Sequence, residues 1–406
     1  AGSTATLASY LRAKFEAEIA RIESTGDAPS VMRYISIVST VLLDWHFSEA
    51  LYAADVGAIR SRCMASIRSI FGLARRRSVR GLLNFADFAS LSSLSQSTVA
   101  ISSAPSSLAT ADARGIVALV AQAADSGTAL TGTGVNYDEV QEKATMDRLI
   151  FSLANCQNAM TDEPQAQWNA LGGAIRALLV TYMKGKSGST YRADRNGMVV
   201  TAKRLPSTVA SAITSQLSLE DESVVASSSP ANYVKFTNMI LNGLPIDQEG
   251  ADYQVTAYNP ATNPFKSSGT QSVSVFSRVV TMVVRRALPF GDATLPSAVP
   301  DLSITNLPEA HRIELRLYAT GNPPQNLNAT TGVFQATVCS WWNQTQRFWN
   351  QFSTGYLLAP GTLPCFTSHL TDFGLTPGFV GCDKRASASP TVLNLCRVCG
   401  GGGPQK

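Results

Sequence analysis

A chain of 406 residues, 45% of them apolar, can bury a sizeable core, which excludes global disorder as its default state. Only 15% of its residues are charged, against about 25% in ordinary soluble domains, and the formal net charge is +4. That balance excludes a broadly basic nucleic-acid binder, and a surface poor in Lys and Glu loses little when it is buried against another protein.

In chain order, Thr6–Glu23 places Leu7, Leu11, Phe15, Ile19 and Ile22 on one helical stripe. Gly26, Asp27, Ala28 and Pro29 break it, with Ser30 as the expected cap of the next helix. The opening residues lack a long apolar run, so no secretory leader is expected. The stretch between Arg33 and Asp44 is too short to span a bilayer.

The run from Val41 to Gly81 organises the reading. Tyr52, Val56, Ile59, Cys63, Ile67, Ile70 and Ala74 recur at steps of three and four, the spacing of one helix face. Seven arginines follow: Arg60, Arg62, Arg68, Arg75, Arg76, Arg77 and Arg80. At about 100° per residue, Arg60, Arg62, Arg68, Arg75 and Arg76 project off the apolar face. Two readings stand: a solvated face with a basic last turn favoured by the helix dipole, or a surface turned toward a polyanion such as RNA.

Residues 82–107 are Ser-rich with scattered Leu and Phe, expected as ordered loops or short helices on the core. Asp112–Ala124 and Tyr137–Met160 are helical patterns, the second with Met146, Ile150, Leu153 and Cys156 in register. Thr161 and Pro164 open another helix, which runs through Leu171, Ile175, Leu178, Leu179 and Tyr182 and stops before Gly185. Lys184–Gly197 reads as a cationic loop and Ser207–Leu219 as one more helix.

From about Asn242 the punctuation changes to Pro, Gly and Asn between β-branched runs. Ile313, Leu315 and Leu317 alternate with Arg312, Glu314 and Arg316, which is a half-buried strand. The segment NQTQRFWNQF is expected to be helical, and the chain beyond Tyr356 loop-rich. The fold class expected is α+β, predominantly helical. It comprises a helical shell-forming region (1–240), a β-rich projecting or clamping segment (241–340), and an aromatic helix with an irregular tail (341–406).

Chemical motifs are sparse. The Gly185-Lys186-Ser187 triplet follows a helix and lacks the first glycine of a phosphate loop. Asp372-Phe373-Gly374 has no kinase motif beside it. His46, His311 and His369 sit near no nucleophile signature. Seven cysteines, an odd number without framework spacing, favour buried thiols in a reducing compartment. Cys396 and Cys399 form half of a zinc signature that would draw on Cys382, Cys365 or His369; otherwise they are unconnected thiols, and no cofactor is expected. Trp341, Trp342, Phe348, Trp349 and Phe352 are either core or anchors of a subunit contact.

The length, the low charge, the helix-first layout and the arginine-bearing helix resemble the capsid proteins of small RNA viruses, and are most similar to coat proteins of the double-stranded RNA partitivirus (cryptic virus) type. That resemblance implies a non-enzymatic chain that self-assembles, through dimers, into an icosahedral particle. The virion would form in the host cytoplasm, with weak, non-specific contact to the genomic RNA and none to membrane. The competing expectation is a zinc-binding or enzymatic module built on the C-terminal cysteine pair.

Overall fold

The computed structural model describes residues 2–44, 49–76, 88–103, 108–125, 139–186, 189–205, 214–220, 232–241, 250–265, 273–320, 327–328, 333–358 and 360–381. Seven α-helices come first among them: α1 (Gly2–Ser24), α2 (Ala28–Asp44), α3 (Glu49–Arg76), α4 (Phe88–Ser102), α5 (Thr110–Asp125), α6 (Glu139–Ala159) and α7 (Gln165–Met183). Helix α1 buries Phe15 and Ile19 and ends at Gly26, whose φ of 70° only glycine adopts freely. The cap of α2 is Asp27 rather than Ser30: its carboxylate accepts from the Ser30 amide at 3.5 Å and from the Ser30 hydroxyl. The Ser-rich stretch forms α4. Its small hydroxyls let it press on α6, where the Ser152 hydroxyl donates to Thr98 at 3.0 Å and the Asn155 amide to Ser102 at 3.0 Å.

Twelve strands follow: β1 (Thr190–Arg195), β2 (Met198–Leu205), β3 (Thr214–Ser218), β4 (Tyr233–Thr237), β5 (Ala251–Tyr258), β6 (Val279–Arg286), β7 (Ile313–Ala319), β8 (Leu327–Asn328), β9 (Val333–Asn343), β10 (Phe348–Leu357), β11 (Gly361–Thr367) and β12 (Asp372–Gly381). They pair antiparallel into an eight-stranded sheet, β1-β2-β5-β6-β12-β9-β10 with β8 on β9, and a four-stranded sheet, β11-β7-β4-β3. The molecule therefore has three layers. One face of the large sheet meets the helices through Tyr191, Val200, Tyr258 and Trp342. Its other face meets the small sheet through Tyr253, Val255, Met282, Leu315 and Leu317.

This corrects the expectation of a predominantly helical chain. Strand begins at Thr190, where a cationic loop was expected, because Asn196 and Gly197 adopt φ of 48° and 75° and close a two-residue hairpin between β1 and β2. The described part of Ser207–Leu219, residues 214–219, is strand β3 and its edge rather than helix. The NQTQRFWNQF segment is the β9–β10 turn and strand β10. Aromatics seven apart satisfy a helix stripe, but here Trp342 and Trp349 are cross-strand partners. The region beyond Tyr356 is not irregular as far as Gly381: β12 sits inside the large sheet between β6 and β9. Pro364 lies on β11, an edge strand, where a missing N–H costs no ladder bond.

Buried thiols were expected in preference to disulfides, but Cys339 of β9 and Cys365 of β11 form a disulfide with Cα atoms 5.9 Å apart, linking the two sheets. Spacing along the chain carries no sign of it, because the pair forms across the sandwich. Cys63 and Cys156 are free and buried, and burial pushes the Cys63 thiol up to about 12. No helix among the described residues is long and apolar enough to cross a membrane.

Candidate functional site

The arginine face of α3 is partly spent inside the helical layer. Arg60 is buried at 5% exposure rather than projecting, because α3 packs on α1, α2 and α5 and not on one neighbour alone. Arg62 forks onto Glu23 of α1, Nη2 to Oε2 at 2.5 Å and Nη1 to Oε1 at 3.2 Å. Burial opposes ionisation of Glu23, but the hydrogen bonds from Arg62 and Ser66 outweigh it and hold the carboxyl below its ordinary value. Arg68 lies across Gly115 of α5 and donates to the Ala111 carbonyl at 2.9 Å. Arg75 and Arg76 occupy the last turn of α3; Arg77 and Arg80 lie outside the described residues.

The aromatic cluster divides by face. Trp342 and Trp349 meet edge to face at 5.6 Å and enclose Phe265 against the helices, so both are core. Trp341, on the opposite face, is half-buried against His369 at 5.3 Å. Phe348 alone of the four expected contact residues is an exposed side chain, at 40%. His369 packs on Phe373 as well, and burial lowers its pKa. With Cys365 tied to Cys339, no group of three His, Cys, Asp or Glu side chains among the described residues is arranged to hold a metal ion. Cys382, Cys396 and Cys399 lie outside the described residues.

The strongest concentration of polar chemistry lies elsewhere, on the helix-facing side of the large sheet. Residues directly opposite in antiparallel strands share a face. Register therefore aligns Arg204, Asp252 and Arg285 in one row, and Thr256, Thr281 and Asp372 in another. Against this face α7 presents Trp168, Gly172 and Arg176, four residues apart and so on one side of the helix. Between them is a cavity of about 410 Å³. Tyr258, Thr281 and Asp372 line it from the sheet, and Phe265, Asp301 and Gln344 from the loops. A side chain on Gly172 would begin 3.1 Å from Arg176 Nη1 and 3.8 Å from the Tyr258 hydroxyl, so glycine there keeps the space open.

Two side chains of the cavity wall each carry a buried nitrogen without a hydrogen bond. The Trp168 indole N–H is buried with no partner, although Trp168 is 3% exposed. Arg176 Nε lies 3.9 Å from Asp301 Oδ2, close enough for attraction, and is also without a hydrogen bond. Tyr258 sets its ring edge to Trp168 at 6.0 Å. Burial pushes the Asp372 carboxyl up to about 6, against hydrogen bonds from Thr281, at 2.6 Å, and Gln344 and the charge of Arg176. The cavity wall thus combines a buried carboxyl, a guanidinium facing a carboxylate, and buried aromatic rings.

Because the folded chain holds the Asp372 proton more tightly than an unfolded one, whose carboxyl titrates near 3.8, stability from this group is fully present below about pH 4 and is lost as pH rises through about 6. Relative to Asp372→Asn, the unsubstituted chain is expected to lose up to about 3 kcal/mol between pH ~4 and ~7. Urea unfolding of both proteins across that range checks this; a pH-independent difference would contradict it.

Compared with known proteins, the chain matches no family model and no curated protein.

Proposed function

We propose that this chain is the structural subunit of a viral shell, a capsid protein that packs against copies of itself around an RNA genome. The observation that carries the reading is where its exposed large apolar side chains lie. Tyr10 and Ile37 are on α1 and α2, and Val140 is on α6. Phe290 and Leu295 are in the loop after β6, Phe348 is on β10, Phe366 on the small sheet and Phe379 on β12. All three layers thus present apolar groups to solvent. A single two-fold dimer covers one face, whereas a subunit of a closed lattice contacts neighbours on several. The low charge supports the same reading, since few ions need to be stripped of water when these faces meet.

RNA contact in this proposal is weak and falls to the basic end of α3, because Arg60, Arg62 and Arg68 are already engaged within the helices. Replacing Arg75, Arg76 and Arg77 with Gln is expected to lower the ratio of absorbance at 260 to 280 nm of purified assemblies. It should also flatten the salt dependence of RNA binding by about 2 in log–log slope. Helix content by circular dichroism should not change. An unaltered nucleic-acid content would remove this cluster from the RNA-facing surface. Assembly itself is read by sedimentation velocity over a concentration series: large, uniform particles are expected, and a 43.2 kDa species at every concentration would contradict the proposal.

A further inference from the structure

We propose that His369 is an acid-sensitive latch, whose protonation releases the connection that carries the chain from the small sheet to the large one. This inference does not depend on the shell reading. The connection, residues 368–371, joins β11 to β12. Three backbone bonds hold it. The Ser368 carbonyl accepts from the Leu307 amide at 3.0 Å, the Leu370 amide donates to the Ile304 carbonyl at 3.2 Å, and the Thr371 carbonyl accepts from the Met282 amide at 3.1 Å. Between these anchors the connection inserts the His369 ring against two aromatic neighbours. It meets Trp341 of β9 edge to face at 5.3 Å and tilts onto Phe373 of β12 at 5.7 Å.

The hydrogen bonds around Thr367 fix which ring nitrogen takes the proton. The Thr367 hydroxyl donates to the His369 carbonyl at 3.0 Å and has no second hydrogen to give. Its oxygen accepts from the His369 amide at 3.2 Å and lies 3.3 Å from Nδ1. Nδ1 therefore carries the ring hydrogen and donates it to Thr367, which leaves the lone pair on Nε2. Nε2 is buried with no hydrogen-bond partner. Acid adds its proton there, creating a charged ring and an N–H with no acceptor, which costs more than the lone pair did.

No countercharge offsets that cost. Trp341, Phe373 and Thr367 face the ring from β9, β12 and β11, and all three are uncharged. Residues 302–307, to which the connection is bonded, include no charged side chain. Cys339 and Cys365 are joined and do not titrate. Asp372 faces the other side of the large sheet, bonded to Thr281. Burial alone lowers the pKa of His369. Stability from this neutral ring is thus fully present above about pH 6.5 and is lost as pH falls, and the protonated ring is relieved by leaving the aromatic layer for water.

Amide hydrogen exchange of the full chain tests the latch, read by mass spectrometry in peptides covering 366–372 and corrected for the intrinsic pH dependence of exchange. Protection of the connection should hold at pH ~7.5 and fall below pH ~6.5, by up to about tenfold per pH unit. Asp372 cannot produce this response, because the folded chain favours its neutral form and acid supplies that form. His369→Phe keeps a flat apolar ring that takes no proton, so its connection should stay protected down to pH ~5. If that variant does not fold, deuterium exchange at the imidazole C2 of the unsubstituted chain decides: His369 should titrate below pH ~6.5. Unchanged protection between pH ~7.5 and ~5 would overturn the inference. So would the same fall in His369→Phe, or an imidazole midpoint at or above ~6.5.

Discussion

Asp252→Asn is expected to lower the unfolding free energy by about 3–5 kcal/mol, the largest effect of any single change considered. Asp252 and Arg204 face each other across β2 and β5 with side-chain exposures of 0% and 2%. The guanidinium grips the carboxylate with two bonds, Nε to Oδ1 at 2.7 Å and Nη2 to Oδ2 at 2.9 Å. Burial pushes the Asp252 carboxyl up, and only the hydrogen bonds and charge of Arg204 oppose it. An amide in its place leaves a guanidinium inside the protein with no countercharge, and Nη1 already lacks a partner there. Replacing both members, Arg204→Met with Asp252→Leu, should restore most of the loss, because the cost belongs to the stranded charge and not to the missing bond. Chemical denaturation of the three variants checks this. A loss below about 1 kcal/mol for Asp252→Asn would mean that water reaches the pair.

Second in size is the disulfide. Cys339 and Cys365 are separated by 26 residues, so by chain entropy their link removes about 3.5 kcal/mol of freedom from the unfolded state. It joins β9 of the large sheet to β11 of the small one, and both cysteines are buried in the apolar layer between the sheets. Cys339→Ser with Cys365→Ser should therefore unfold at markedly lower denaturant. Reductant should lower the midpoint of the unsubstituted chain and leave that of the double variant unchanged. Equal midpoints for the two proteins under oxidising conditions would show that the thiols are not joined.

The helices were legible because their periodicity is strong. The stripe Leu171, Ile175, Leu178 and Leu179 is buried in α7 as expected, and so is Met146, Ile150, Leu153 and Cys156 in α6. Strand β7 matches its alternation, with Ile313, Leu315 and Leu317 inside and Arg316 out. What escaped was strand written in polar or punctuated residues. In β1 only Tyr191 and Ala193 mark the inner face, and the Asn-Gly turn signal sits within a cationic run. In β12 three glycines and a proline hide a strand that is held by its neighbours on the sheet.

The cavity was not legible at all. Its walls come from α7, β5, β6, β12 and four loops, and register rather than spacing brings Thr281 to Asp372. The one local signal was Trp168, Gly172 and Arg176 at four-residue steps, overshadowed by the apolar stripe beside it. The arginine face was legible as a pattern but not as a surface. Whether a helical arginine meets water or another helix depends on how many neighbours the helix has, and Arg60 is covered.

Electron microscopy of the purified, expressed chain reaches the central proposal most directly. Closed particles of uniform diameter, built from this polypeptide alone, are the predicted result. A field of dispersed single molecules at high concentration, across the salt and pH conditions that favour assembly, would contradict it.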